Sequence, residues 1–344
     1  MRGTYSLKRT RKSWSLTYKP ETNCADIATT VCTSANKLSV VRRTKQSASL
    51  PRATASITEK VTTHKFTKGR NGTIKSDFEI IRIIVPKADE IKIAPIGDVH
   101  DKSVLANERA FENFVQKLLK EENTYTVLVG DMLNNNTRSS VGSPWEDTMR
   151  PRDAKRHMAE LLKPLADSGK IIGALSGNHE KRSLKDADDD PMYDIMCKLN
   201  LEDIYRENAL FIHLCIGERE TKGKKRLAAT YNIACHHGSG GGSLTGSGVN
   251  KAERYGYTLD NIDLLITGHT HRGAITKPAK MRFCENSLRM IPKVFGCITV
   301  TAWQEYGGFA LQKMMNPAAT AMDGGEQAAY LSGDMYNKYI RLSW

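Results

Sequence analysis

Ile91-Lys-Ile-Ala-Pro-Ile-Gly-Asp-Val-His100 is the stretch that decides how this 344-residue chain folds. Its first six residues are mostly apolar and rich in isoleucine, which predicts a strand over Ile91–Ile96. Gly97 breaks the run, and Asp98 and His100 follow, two residues apart. At a strand end that spacing points both side chains the same way, so the pair can chelate one ion. The pattern recurs down the chain. Thr124–Val129 runs into Gly130-Asp131, and Lys170–Leu175 leads to Gly177-Asn178-His179-Glu180. Leu227–Cys235 ends at His236-His237-Gly238, and Asp263–Thr267 at Gly268-His269-Thr270-His271. Six of the nine histidines fall in these five segments, a concentration that packing does not explain.

Between the early strands lie helical patterns. Leu105–Leu119 has helical spacing, and a second helix is predicted from Pro151 to a stop at Gly169. Phe78–Val85 adds a strand ahead of the first motif. Strands alternating with helices indicate an α/β domain with parallel strands. After residue 205 strands dominate, with Leu210–Ile216, Pro292–Thr301 and Tyr339–Leu342 joining those named above. No repeat recurs at a fixed period.

Charge divides the chain unevenly. Residues 1–75 hold 16 Lys/Arg against 3 Asp/Glu, whereas the remainder holds 35 of each. The whole net charge of +13 therefore belongs to the N-terminal segment. That segment also carries 22 Ser/Thr and few large apolar residues, and shows no sustained period of 2 or 3.6. It buries too little to offset its ordering entropy, so residues 1–75 read as a disordered basic extension and 76–344 as the folded domain. The extension fits a solvated tail, a nucleic-acid arm built on clusters such as Lys8-Arg9-Thr10-Arg11-Lys12, or a transit peptide. Seven scattered cysteines form no CxxC pair, which argues against a disulfide framework or a cysteine zinc site and favours a reducing cytoplasm. No apolar run approaches the ~20 residues that span a bilayer, so no membrane association is expected.

The motif residues are of metal-binding type. Asp131 offers two carboxylate oxygens, enough to bridge two ions, and Asn178 a neutral carbonyl oxygen. Imidazole mixed with carboxylate and amide oxygen suits manganese, iron, zinc or nickel rather than a thiolate-selective metal. A lone Gly-Asp or His-His-Gly arises by chance; five segments in order at strand ends do not. Two other features read as ordinary. The six-glycine stretch from Gly238 to Gly248 is taken as a flexible loop rather than a lid, and the acidic run Asp186–Asp190 as a solvated loop and helix entry.

With these segments in view, roughly residues 90–275 resemble the calcineurin-like metallophosphoesterases, whose pattern is D-x-H, GD, GNH-[DE], a histidine before glycine, and G-H-x-H. The resemblance implies a four-layer α/β/β/α sandwich of two mixed sheets. It implies that Asp98, His100 and His271 bind one divalent ion, that Asn178, His237 and His269 bind a second, and that Asp131 bridges them, with manganese the expected metal. It makes His179 catalytic, donating to the departing oxygen, with Glu180 orienting its other nitrogen. His236, the extra histidine of the fourth motif, is expected to pack or support rather than ligate. The implied reaction is hydrolysis of phosphate esters by a hydroxide shared between the ions. A phosphodiesterase or nuclease is favoured by the basic extension and by a narrower likeness to phage and prophage members in HGSGGG and Tyr306-Gly-Gly. A phosphomonoesterase acting on protein or small molecules is the alternative. A nucleic-acid-binding protein with a structural metal site is disfavoured, because His179, which binds no metal in the family, is present. Nothing in the sequence decides the oligomeric state.

Overall fold

The computed structural model describes residues 77–217, 228–240, 246–314 and 326–344, together with strand backbone at 3–10, 13–20 and 56–57. The chain divides into two units, residues 1–50 and 51–344. In the first, β1 (Gly3–Thr10) and β2 (Ser13–Pro20) pair antiparallel. This departs from the expectation of no regular period there. Tyr5 and Leu7, then Trp14, Leu16 and Tyr18, alternate with polar residues, and the register sets Tyr5 opposite Tyr18 and Leu7 opposite Leu16. The rest of the span 1–75, apart from Ser56–Ile57, lies outside the described residues, and with it the expectation of disorder.

The second unit carries the remaining strands. They are β3 (Ser56–Ile57), β4 (Ile80–Val85), β5 (Glu90–Ile93), β6 (Thr124–Leu128), β7 (Ile171–Leu175), β8 (Tyr205–Arg206), β9 (Ala209–Ile216) and β10 (Ala229–His236), followed by β11 (Leu264–Thr267), β12 (Ala274–Thr276), β13 (Ala279–Cys284), β14 (Arg289–Val294), β15 (Gly296–Thr299), β16 (Ala328–Ser332) and β17 (Ile340–Ser343). One mixed sheet of seven strands runs β12-β15-β11-β10-β9-β4-β3, and another of six runs β17-β16-β5-β6-β7-β8. The strands β5 through β8 are mutually parallel, as are β10, β11 and β15.

Strand alternation sorts the core. In β10, Tyr231, Ile233 and Cys235 face the main core with Ile93, Val127 and Ile172 of the other sheet, while Ala234 points the opposite way. Ile266 and Ile298 likewise face inward, and Leu265 and Cys297 outward. The outward residues form a second, smaller core with Ala252 and Phe295 beneath a helix, α5 (Gly246–Thr258), that packs on β11, β12 and β15.

Helices α1 (Glu108–Lys120), α2 (Pro151–Asp167) and α4 (Pro191–Lys198) pack together and join the main core. In α1 the buried residues Phe111, Phe114, Val115 and Leu118 form one apolar stripe, and Asn107 caps its start by accepting from Ala110 N at 3.1 Å. Helices, two facing sheets and a helix give the four layers.

Two local expectations give way. The single strand expected over Pro292–Thr301 is interrupted at Phe295 into β14 and β15, and β14 pairs with β13 as a separate two-stranded ribbon. Pro292 lacks an N–H, which suits an outlying ribbon better than a central strand. The glycine-rich stretch ends in α5, a helix that its three glycines hide. Gly256 serves packing, since a Cβ there would lie 2.5 Å from Phe295.

Candidate metal centre

Five loops leave the carboxyl ends of β5, β6, β7, β10 and β11 and converge. The backbone of the first two is zipped together: Asp98 N donates to Gly130 O and His100 N to Asp131 O, each at 3.0 Å. Strand alternation does not aim the ligands, contrary to the spacing argument. β5 stops at Ile93, and Asp98, His100, Asp131, His269 and His271 all adopt the left-handed conformation, with φ between 50° and 72°. Left-handed backbone costs a non-glycine residue about 1–3 kcal/mol and clusters at functional sites. Here it turns Asp98 and His100 into one cluster and sends His271 and His269 to two different ones. Gly177 sits where a Cβ would meet Asp131 Oδ1 at 2.1 Å, so only glycine admits the carboxylate.

All seven expected ligands come together, in two clusters that share Asp131. Asp98, His100, Asp131 and His271 present donor atoms within 4.8 Å of one another, as do Asp131, His237 and His269. In the first, His100 Nε2 and His271 Nε2 lie 2.8 Å apart. In the second, Asn178 Oδ1 lies 3.0 Å from His237 Nε2 and 2.5 Å from His269 Nδ1. Asp131 Oδ1 accepts from His179 N at 2.8 Å, whereas the buried Oδ2 has no aligned donor although His237 Nε2 is 3.1 Å away. A buried carboxylate oxygen left without a hydrogen bond among nitrogen lone pairs is what a cation would satisfy.

Electrostatics favour the same reading. Burial, reinforced by neighbouring imidazoles, holds His100 well below its ordinary value, and burial likewise takes His269 and His271 down to about 4. These rings are neutral and ligand-competent at neutral pH. Burial also opposes protonation of His237, but the Asp131 and Asp98 carboxylates outweigh it and push that imidazole up to about 10. Without an ion, His237 thus pairs with Asp131 as a buried cation; a metal takes the place of its proton. Its Nδ1 is 2.7 Å from Val129 O, which fixes the ring so that Nε2 faces the site.

Residues 91–273 match the calcineurin-like phosphoesterase family. The chain belongs to that family. No curated protein matches the sequence. Among solved structures, GAP50, described as the anchor in the inner membrane complex of Plasmodium, is 12% identical with a TM-score of 0.32, over 73% of this chain and 88% of that one. Another is 11% identical with a TM-score of 0.25, over 74% of this chain and 98% of that one. Likeness this distant carries nothing about function. Family membership and the two linked clusters make this calcineurin-like phosphoesterase a metal-dependent hydrolase with a dinuclear divalent site.

The phosphoesterase places Glu180 differently from the expectation. Glu180 does not orient His179. Fully buried, it accepts from Asp131 N, Leu133 N and Gly177 N at 2.9–3.0 Å, bracing the two loops that carry Asp131 and Asn178. His179 is oriented instead by Asn134 O, 2.6 Å from its Nδ1, and its Nε2 meets Arg182 Nη2 at 2.9 Å and Asp131 Oδ2 at 3.8 Å. The Asn134-Asn135-Asn136 loop and Arg182 went unread in the sequence. One signal was available, since Arg182 stands three residues after His179 at the start of helix α3 (Glu180–Ala187), where i and i+3 share a face.

His236 turns away from the clusters. Its Nδ1 accepts from Gly238 N at 2.9 Å, and its ring packs on Tyr255 of α5 with centroids 5.0 Å apart. His236→Asn is therefore expected to keep both ions in elemental analysis. Loss of either ion would give His236 a role at the centre.

Among the described residues no helix is long and apolar enough to cross a membrane.

Proposed function

We propose that this phosphoesterase cleaves phosphodiesters, nucleic acid foremost, with manganese as its working metal. One ion would be held by Asp98, His100, His271 and Asp131, the other by Asn178, His237, His269 and Asp131. The observation that carries the two-ion assignment is the single buried carboxylate common to both clusters. When bound, such ions would activate a water as nucleophile and neutralise charge on the phosphoryl oxygens. The chain's own residues do the rest. Asp131 and Asn178 hold the clusters in register through the Glu180 brace. His179, its Nδ1 committed to Asn134 O, has only Nε2 with which to hand a proton to the leaving oxygen. The centre is open enough for this, since His271 and His179 keep 29% and 15% of their side-chain surface.

Diester preference is supported by charge. A neutral catalytic domain is joined to a strongly basic N-terminal segment, the distribution expected when phosphate contacts hold a polymer near the site. The narrower likeness to phage members points the same way, and five unpaired cysteines among the described residues accord with a reducing cytoplasm. A panel in Mn²⁺ compares a chromogenic monoester, a chromogenic diester and single-stranded DNA. The diester and DNA should turn over faster; a monoester preferred by more than about tenfold would instead establish the phosphomonoesterase.

Removing residues 1–50, a cut that spares β3, should leave hydrolysis of the small diester nearly intact. Affinity for single-stranded DNA should fall, and the slope of log K against log salt should flatten by roughly 0.7 for each phosphate no longer neutralised. Unchanged affinity and slope would show that these residues are not a nucleic-acid arm.

A further inference from the structure

The site contains one cation whose purpose the metal ligands do not explain. Arg182, part-buried on α3, donates through Nη2 to His179 Nε2 at 2.9 Å and through Nη1 to Asn136 Oδ1 at 2.9 Å, with Asn134 O at 3.3 Å. Asn136 is itself fixed. Asp147 accepts from its backbone N at 2.8 Å and its side-chain nitrogen at 3.0 Å, and Ser143 O accepts from that nitrogen too. The guanidinium is thus held on one flank by a bracket of side chains, while its other end rests on His179, which is not needed as a ligand.

That placement is costly in a loaded centre. Two divalent ions claim the charge of Asp131, and a third cation beside them is repelled unless an anion arrives. The hydrogen bond with His179 also occupies the nitrogen that must serve the leaving oxygen, so it has to break during turnover. Arginine at this point makes sense if its Nη2 has a second destination. A planar guanidinium, anchored at Nη1 and swinging at Nη2, is suited to a phosphoryl oxygen.

We infer that Arg182 is a substrate-phosphate clamp, which exchanges its hydrogen bond to His179 for one to a non-bridging oxygen of the bound phosphate and thereby frees His179 Nε2 to take up from solvent the proton it then passes to the leaving oxygen. This rests on the phosphoesterase reading but not on diester preference. The exchange has a specific consequence: phosphate affinity and leaving-group chemistry are coupled through one side chain.

Calorimetric titration of the Mn²⁺-loaded full chain with inorganic phosphate tests it without reference to any ester. Arg182→Gln should retain two ions per chain yet bind phosphate about 10- to 100-fold more weakly, the range for losing a hydrogen bond to a charged group. Arg182→Lys, which keeps the charge but loses the fork, should fall between Arg182→Gln and the unaltered protein. The KM for whichever ester the enzyme hydrolyses should rise in the same order. Phosphate affinity unchanged in both variants, with kcat alone reduced, would overturn the clamp and leave Arg182 as a support for His179. Loss of metal in both would overturn it equally, by making Arg182 part of the scaffold.

Discussion

Asp131→Asn is expected to empty both metal positions together and to lower kcat by at least about 10³-fold, the upper range for removing one electrostatic interaction at a reacting centre. The amide can still accept from His179 N through its oxygen, as Asp131 Oδ1 does at 2.8 Å, so the fold around it should persist. What it cannot do is neutralise two cations at once. In the clusters Asp131 is the sole shared residue, so no other carboxylate common to both replaces the missing charge. Elemental analysis after purification with Mn²⁺ reads the effect directly. Loss of one ion with the other retained at full occupancy would show that the carboxylate serves a single position.

The second large effect separates chemistry from metal binding. His179→Asn should cut turnover by about 10²–10⁴-fold, the usual worth of general acid catalysis, while the protein still binds two ions. His237→Asn should instead deplete the ion shared with Asn178 and His269. The basis is geometric: His237 Nε2 lies 3.0 Å from Asn178 Oδ1, whereas the His179 nitrogen facing the site is 3.8 Å from Asp131 Oδ2 and bonded to Arg182. If both variants lost the same ion, the separation of acid from ligand would be wrong.

The identities of the candidate ligands were legible because each lies in a short glycine-containing segment that follows an apolar run. Apolar, β-rich runs likewise marked β4, β9 and β10, whose buried side chains fill the cores. The way the ligands converge was not legible. Spacing of two suggested strand alternation, but left-handed turns bring Asp98, His100 and His271 to one cluster and His269 to the other, which no pattern of side-chain polarity encodes. Hydrogen bonds across long stretches of chain were equally invisible. Glu180 looked like a partner for the histidine next to it, yet it braces backbone 47 to 49 residues away. Its three amide partners become neighbours only once β6 and β7 pair. The helix α5 was concealed by its glycines, of which Gly256 must be small because of Phe295 and Gly248 because of Thr270, and β16, short and flanked by Gly324-Gly325 and Gly333, gave too little pattern to read.

The number of divalent ions per chain bears most directly on the function of this site. Elemental analysis of the full-length protein, purified with Mn²⁺ and assayed for phosphoesterase activity from the same sample, should return two ions per chain. One ion or fewer, reproducibly and with full activity retained, would contradict the two-metal centre built on Asp131.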